Sequence, residues 1–303
     1  MKQRISIICT IVMMVLLVVG CGPKQLETTS ATHQVTDGTG TVVTVPTEPK
    51  HIVPIAASTE DIVLSLVDPS RVAAVGTVPN NVPDASAKVE KHVKASAESM
   101  LSVQPDLVLI PNWVSPDAIG EMRNMQIPVY VYKTPTTVQE AKATIHEIAG
   151  LLHASDESMI ASMDADLKTV EELTNKHSGE RPLVAFYSQF GLTGGKGSTF
   201  DDMCNYLKVN NAATQIGLGP FDNGTREDLI KSNPDIIFIP SVAYTSDGTT
   251  PATAEQLYSD PALQGVKAIA NRRVYLVDSS QVMSYSQFMT RAMVSMAQNI
   301  YSM

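Results

Sequence analysis

Six histidines, at positions 33, 51, 92, 146, 153 and 177, are scattered through the 303 residues, with no short His pair and none beyond 177. Zinc or manganese shared between the two ends of the chain is therefore disfavoured, because such ions need several imidazole or carboxylate donors converging on one point. An imidazole ligand to haem iron from the second half is disfavoured for the same reason. Met289, Met293 and Met296 recur at helical spacing and read as one face of a core helix rather than a soft-metal site. Catalytic signatures are missing as well: there is no G-x-S-x-G, no H-E-x-x-H and no G-x-G-x-x-G. "TGGKGS" fails as a phosphate loop, since Phe190 and Gly197 stand where Gly and Ser or Thr are needed. The expectation is not an enzyme, and no intrinsic cofactor. What remains are groups suited to gripping a ligand. Trp113 is the single tryptophan, and Tyr187, Tyr244 and Tyr285 each join a ring face to a hydroxyl. Lys196, in "TGGKG", could pair with an anionic chelate, although a solvated loop lysine is the plainer reading.

These candidates share a position: each follows a short apolar run, or lies in the loops beyond one. "HIVPIA", "RVAAVG", "DLVLIP" and "PVYVYK" in the first half, and "PLVAFYS", "DIIFIPS" and "RVYLVDS" in the second, are β-branched and bounded by Pro, Gly, Arg or Asp, as buried strands are. Helical patterns alternate with them, which predicts an α/β fold of βα units on mostly parallel sheets. Between the halves, "TVQEAKATIHEIAGLL" opens with a capping box, Thr137 to Glu140, and places Ala141, Ile145, Ile148 and Leu152 on one face. A second helix, with Ile160, Met163, Leu167, Val170 and Leu173 in register, is long enough to bridge two lobes. The expected division is an N-terminal lobe over 36–155, a linker helix over 156–178 and a C-terminal lobe over 179–303. Ligands of open α/β sheets bind beyond the carboxyl ends of strands, which would put "NW", Asn112 and Trp113, and "SVAY", ending in Tyr244, on opposite walls of one cleft.

One phrase is written twice. "ESMLSVQPDLVLIP" (98–111) and "EDLIKSNPDIIFIP" (227–240) agree in their opening glutamate, their Pro-Asp and their four apolar residues closed by proline. Each reads as a helix feeding a strand, with Ser96 and Thr225 as N-caps, Glu98 and Glu227 in the first turn, and Pro-Asp as the break. One end of each copy is expected near the ligand and the other free for a partner.

At the chain start, Lys2 and Arg4 precede an apolar run from Ile5 to Val19, then Gly20 and Cys21. That is a secretory signal over 1–20, and "LVVGC" resembles the lipobox whose cysteine carries lipid, here Cys21. Residues 21–35 read as a flexible tether. Without Lys2 and Arg4 the chain has 20 basic against 31 acidic residues, a net charge of −11, so nucleic acid is excluded as a partner. With Cys9 in the signal and Cys21 lipidated, only Cys204 is left, and it reads as a core thiol.

The ordered series "DGTGTVVTVPTEPKHIV", "STED", "PSRVAAVG", "QPDLVLI" with "IPVYVY", "GKGSTFDDM" and "TREDLIKSNPDIIFI" resembles the class III solute-binding proteins of ABC importers, with His51 where arginine is usual. The resemblance covers 36–301 or thereabouts. With the lipid expected on Cys21, it implies a monomer anchored at the outer face of the cytoplasmic membrane, two Rossmann-like lobes with mostly parallel sheets joined by one long rigid helix, and a cleft for an iron-siderophore or cobalamin-type ligand, siderophore being the more frequent. Haem, or a sensor or adhesin role without transport, is the alternative. It further implies an ABC permease dimer, with its cytoplasmic ATPase, as partner, and places Glu98 and Glu227 where the family docks against permease arginines.

Overall fold

The computed structural model describes residues 31–78, 80–241 and 253–301. Cys21 and the expected signal segment lie outside the described residues. The first described element is a hairpin, β1 (Thr32–Thr36) and β2 (Val42–Pro46), paired antiparallel. Its first strand falls inside the stretch expected to be tether, because its residues alternate polar and half-buried and carry little apolar signal. Asp37 and Gly38 fix the hairpin to the molecule. The Asp37 carboxylate accepts from the backbone N–H groups of Thr39, Thr41 and Val131 and pairs with Arg123. Burial opposes its charge, but these hydrogen bonds win and hold its pKa below the ordinary value. Gly38 donates to the Val131 carbonyl at 2.6 Å, and a Cβ there would meet that oxygen at 2.9 Å and the Lys133 nitrogen at 3.0 Å.

The first lobe continues with β3 (Ile52–Pro54), α1 (Ala57–Leu66), α2 (Pro83–Ser86), α3 (Ala97–Val103), β4 (Leu107–Pro111), α4 (Pro116–Asn124) and β5 (Val129–Tyr132). β3, β4 and β5 form a three-stranded parallel sheet in that order. "RVAAVG" does not join it as a strand; Val72 and Val75 make only isolated bridges, to Ile52 and His92. A 3₁₀ turn over Pro69–Arg71 leaves that run too short to build a ladder.

Two helices lead out of the lobe, α5 (Val138–Leu152) and α6 (Glu157–Asn175). Thr137 caps α5 by accepting from the Glu140 N–H at 3.1 Å, but the expected reciprocal bond does not form. The Glu140 carboxylate instead takes the N–H and hydroxyl of Thr136. Ala141, Ile145, Ile148 and Leu152 are all buried. On α6 the fully buried stripe is Met159, Met163, Val170 and Thr174, with Ile160, Leu167 and Leu173 packed at its margin. At 1.5 Å per residue its 19 residues span about 28 Å.

The second lobe comprises β6 (Leu183–Ser188), β7 (Gly191–Thr193), α7 (Thr199–Tyr206), β8 (Asn210–Asn211), α8 (Ala212–Gln215), α9 (Arg226–Ser232), β9 (Ile236–Pro240), α10 (Ala254–Ser259), α11 (Lys267–Ala270), β10 (Val274–Val277), α12 (Ser279–Val282) and α13 (Phe288–Tyr301). Its sheet runs β10-β9-β6-β7, parallel except for β7, with β8 beside β6. One continuous apolar core joins the lobes, from the hairpin through α1, α5 and α6 to α7 and α13. Met289, Met293 and Met296 are fully buried in it, as is the free thiol of Cys204, whose pKa burial pushes far up.

Gly38→Ala should therefore lower stability by about 1–3 kcal/mol, since its new methyl must displace backbone rather than a side chain. Denaturant unfolding of the variant checks this; an unchanged midpoint would show that the hairpin is not docked in this way.

Candidate ligand-binding cleft

The doubled phrase builds the same helix-and-strand unit in each lobe. Ser96 accepts from the Ser99 N–H, and Thr225 forms a full capping box with Asp228. Both helices end on a left-handed residue, Gln104 (φ 48°) and Asn233 (φ 50°), immediately before Pro-Asp. The repeated aspartate then stitches the new strand to its neighbour. Asp106 accepts from the N–H groups of Lys50 and His51 at 2.7 and 2.9 Å and donates its own N–H to the His51 carbonyl. Asp235 does the same with Leu183, accepting at 2.8 Å and donating at 2.8 Å. The strands that follow are fully buried and stop at Pro111 and Pro240.

Beyond the ends of β4, β5 and β6 lies a cavity of about 590 Å³, lined from the first lobe by 112–113 and 133–136 and from the second by residues of 186–200, 220–223 and 282–285. Its walls are rich in rings: Trp113, Phe186, Phe190, Phe200, Phe221 and Tyr285. Phe186 and Phe200 stack with centroids 5.4 Å apart at its base. Trp113, Phe190 and Phe221 stand 60%, 48% and 90% exposed, so much of their apolar ring surface is uncovered. Lys133 is the single cation among the described lining residues and Asp222 the single acid. Asn112 accepts the N–H and hydroxyl of Thr134 through its Oδ1, which leaves its amide N–H groups unpaired among the described residues.

Of the residues expected in the cleft, Trp113 and Tyr285 line it together. Tyr187 does not. Successive side chains of a strand face opposite ways, so Phe186 and Ser188 point to the cleft while Tyr187 packs against the apolar cluster on the other side of the sheet. Lys196 is exposed on its loop and not part of the lining. Its glycine-rich surroundings serve a protein contact instead. A Cβ on Gly195 would lie 2.2 Å from the Leu218 carbonyl, to which the Lys196 N–H donates at 2.8 Å. That approach, with the Leu192–Gly224 bridge, holds the loop carrying Phe221 against β7. Tyr244 lies outside the described residues. Asn112, expected on the wall beside Trp113, lines the cleft; the sequence reading does not single out Lys133, directly after β5, or Phe190, two residues after β6, and Phe221 has no local signal, being delivered by a loop with no preceding strand.

The floor is set by a polar seam. Tyr285 meets the Tyr132 hydroxyl at 3.3 Å, and Tyr132 meets Thr59 at 2.5 Å. Burial raises both phenol pKa values, so both stay protonated. Behind them Asp61 of α1, 1% exposed, accepts from the Asn81 N–H at 2.6 Å, the Asn81 amide at 2.8 Å and the Ser286 hydroxyl at 3.0 Å. Asn81 in turn donates to the Ser280 carbonyl and accepts from its hydroxyl, and Gln287 donates to the Asp61 carbonyl. Burial lifts the Asp61 pKa from an ordinary 3.8 to about 6, against the opposing effect of its donors and with some help from Asp278. Glu60, beside it, is also raised by burial but is turned to Gly76 and Asn80.

Residues 52–281 match the family model described as periplasmic binding protein. The chain belongs to that family. The binding protein is 27% identical, over 99% of its own length and 98% of the relative's, to the ABC transporter substrate-binding lipoprotein YvrC of Bacillus subtilis, itself uncharacterised. A cobalamin-binding protein of Halobacterium salinarum is 22% identical over 86% of the chain and 72% of that protein. Among solved structures, the periplasmic heme-binding protein RhuT from Roseiflexus sp. RS-1 superposes with a TM-score of 0.70 at 19% identity, covering 84% of this chain and 98% of that one. The architecture of two parallel-sheet lobes joined by a long helix is thus that of this binding-protein class. Among the described residues no helix is long and apolar enough to cross a membrane.

Because Asp61 binds its proton more tightly folded than unfolded, its favourable contribution is complete below about pH 4 and is lost as pH rises through about 6. The stability of the wild type relative to Asp61→Asn should accordingly fall by up to about 3 kcal/mol between pH 4 and 7. Denaturant unfolding at several pH values measures the difference, and a difference independent of pH would contradict a buried, titrating Asp61.

Proposed function

We propose that the chain is the lipid-anchored solute-binding component of an ABC importer, and that its cleft takes a bulky, nearly uncharged metal chelate, a cobalamin-type corrinoid ahead of an iron siderophore. The lining carries this reading. Exposed ring faces from both lobes suit a large planar or apolar ligand, and one lysine offset by one aspartate gives little to a strongly anionic chelate. The amide N–H groups of Asn112 and the amide of Asn223, unpaired among the described residues, and the Ser188 hydroxyl, which accepts from the Phe190 N–H and keeps its own proton to donate, suit the amide-bearing rim of a corrinoid. A haem iron would ask the wall for a donor, and the phenol of Tyr285 is held protonated and within the Tyr132–Thr59 chain. The cobalamin-binding protein of Halobacterium salinarum, which this chain resembles over most of its length, points the same way.

In this reading Cys21 carries the lipid that holds the protein at the outer face of the cytoplasmic membrane. Glu98 and Glu227 meet cations of the permease dimer. Both carboxylates are exposed and neither has a hydrogen-bond or ion-pair partner among the described residues. The expectation that each copy points one end to the ligand and the other away needs revision. Each helix reverses at its left-handed residue and runs back along its strand, so the glutamate and the strand end lie toward the same edge. Glu227 accordingly acts electrostatically on Tyr187, near the end of β6.

Titration with cyanocobalamin should quench the Trp113 fluorescence, and Trp113→Ala should weaken binding about tenfold, the equivalent of one lost ring contact. Quenching by ferric siderophores but not by the corrinoid would overturn the ligand assignment. Glu98→Arg with Glu227→Arg should abolish uptake while leaving corrinoid affinity intact; normal uptake by that double variant would remove the glutamates from docking.

A further inference from the structure

The two copies of the doubled phrase match in exposure as well as in sequence. In each, the glutamate is exposed, the third residue buried (Met100, Leu229), the fourth exposed and the sixth buried (Val103, Ser232). The fourth residue is aliphatic both times: Leu101 is 50% exposed and Ile230 37%. A single exposed aliphatic residue on a protein surface needs no explanation. Two at the same register, each three residues after an unpaired glutamate, do. Positions i and i+3 share a helix face, so Glu98 with Leu101 and Glu227 with Ile230 each present a carboxylate beside an apolar patch. The buried third and sixth residues hold both helices to their lobes, which fixes that face outward.

We propose that Leu101 and Ile230 form, with Glu98 and Glu227, a two-point docking epitope repeated once per lobe, whose occupant is the membrane permease. This rests on the docking role assigned to the glutamates and adds its second contact. An exposed ion pair alone is weak and screened by salt; an aliphatic side chain driven into an apolar recess supplies a contact that salt does not weaken. The partner surface must carry a cation beside an apolar recess, and must carry this pair twice, as a dimer or an internally repeated membrane protein does. The flanking residues set the two copies apart: Ser99 and Ser102 in the first lobe stand where Asp228 and Lys231 stand in the second. The shared contact is therefore the carboxylate with its aliphatic neighbour.

Two measurements on the full-length protein in its own cells test this. A photo-crosslinking amino acid at Leu101 or at Ile230 should capture a multi-span permease subunit, identified by mass spectrometry, from both positions. The same group at Leu276, also exposed but outside the phrase, should capture none. Leu101→Ser with Ile230→Ser should lower cyanocobalamin uptake about tenfold, the effect expected from losing partial burial of two aliphatic side chains, with corrinoid binding unchanged. If charge reversal of the glutamates blocks uptake while the double serine variant transports normally, the second contact is refuted and the glutamate docking stands. If neither variant affects uptake, both fall. Crosslinks to a second copy of this chain, or equal capture from Leu276, would also overturn the proposal.

Discussion

Asp61 lies almost out of reach of water and accepts hydrogen bonds from two segments distant in sequence, Asn81 in the first lobe and Ser286 just before the last helix. A carboxylate in that position is costly unless its donors are fixed, and fixing them determines where the chain must return after β10. The stretch 280–287 is thereby held on α1, with Ser58 meeting Ser284 and Gln287 meeting Ser65. Val282, Met283 and Tyr285 of that stretch form part of the cleft lining. The floor of the cleft is thus a second crossing between lobes, beside the long helix α6, and its geometry is dictated by polar groups that lie outside the cavity lining.

The same crossing limits how the lobes can move. α13 packs along α6, Thr290 donates to Asp166, and Asp202 of α7 accepts from the N–H that opens α5. Wide opening would have to expose part of the shared core and break buried hydrogen bonds together, and each such group left unpaired costs about 1–3 kcal/mol. A cleft built this way changes little at its base and adjusts at its rim. The exposed rings stand at that rim, on loops beyond the strand ends.

The sequence made legible what depends on local pattern. Pro-bounded β-branched runs became β3, β4, β5, β6, β9 and β10, Ser96 and Thr225 became caps, and Trp113 reached the cleft because a strand end must. What failed needed knowledge of facing. Tyr187 was placed in the cleft from its distance along the chain, but the two-residue period of a strand turns it to the opposite side from Phe186. The glycines around Lys196 signalled close approach correctly and the approaching group wrongly, since the neighbour is the Leu218 backbone. The polar seam was present in the letters as "STED" and "SYSQ", more than 220 residues apart, and no local rule joins them.

The doubled phrase shows how one device meets several demands. Its aspartate binds the preceding parallel strand by donating and accepting at the same residue, so each copy registers its own sheet. The reversal at Gln104 or Asn233, where the backbone takes a left-handed conformation before proline, returns the helix antiparallel to the strand. That reversal brings the first helical turn to the edge of the sheet where the strand ends. The exposed face of each helix and the end of its strand are then separated by one helix-and-strand unit rather than by the width of the molecule. The exposed glutamate and aliphatic pair of each copy lies one short element away from a strand end. Because the unit occurs once in each lobe, the spacing between the two pairs follows the relative position of the lobes.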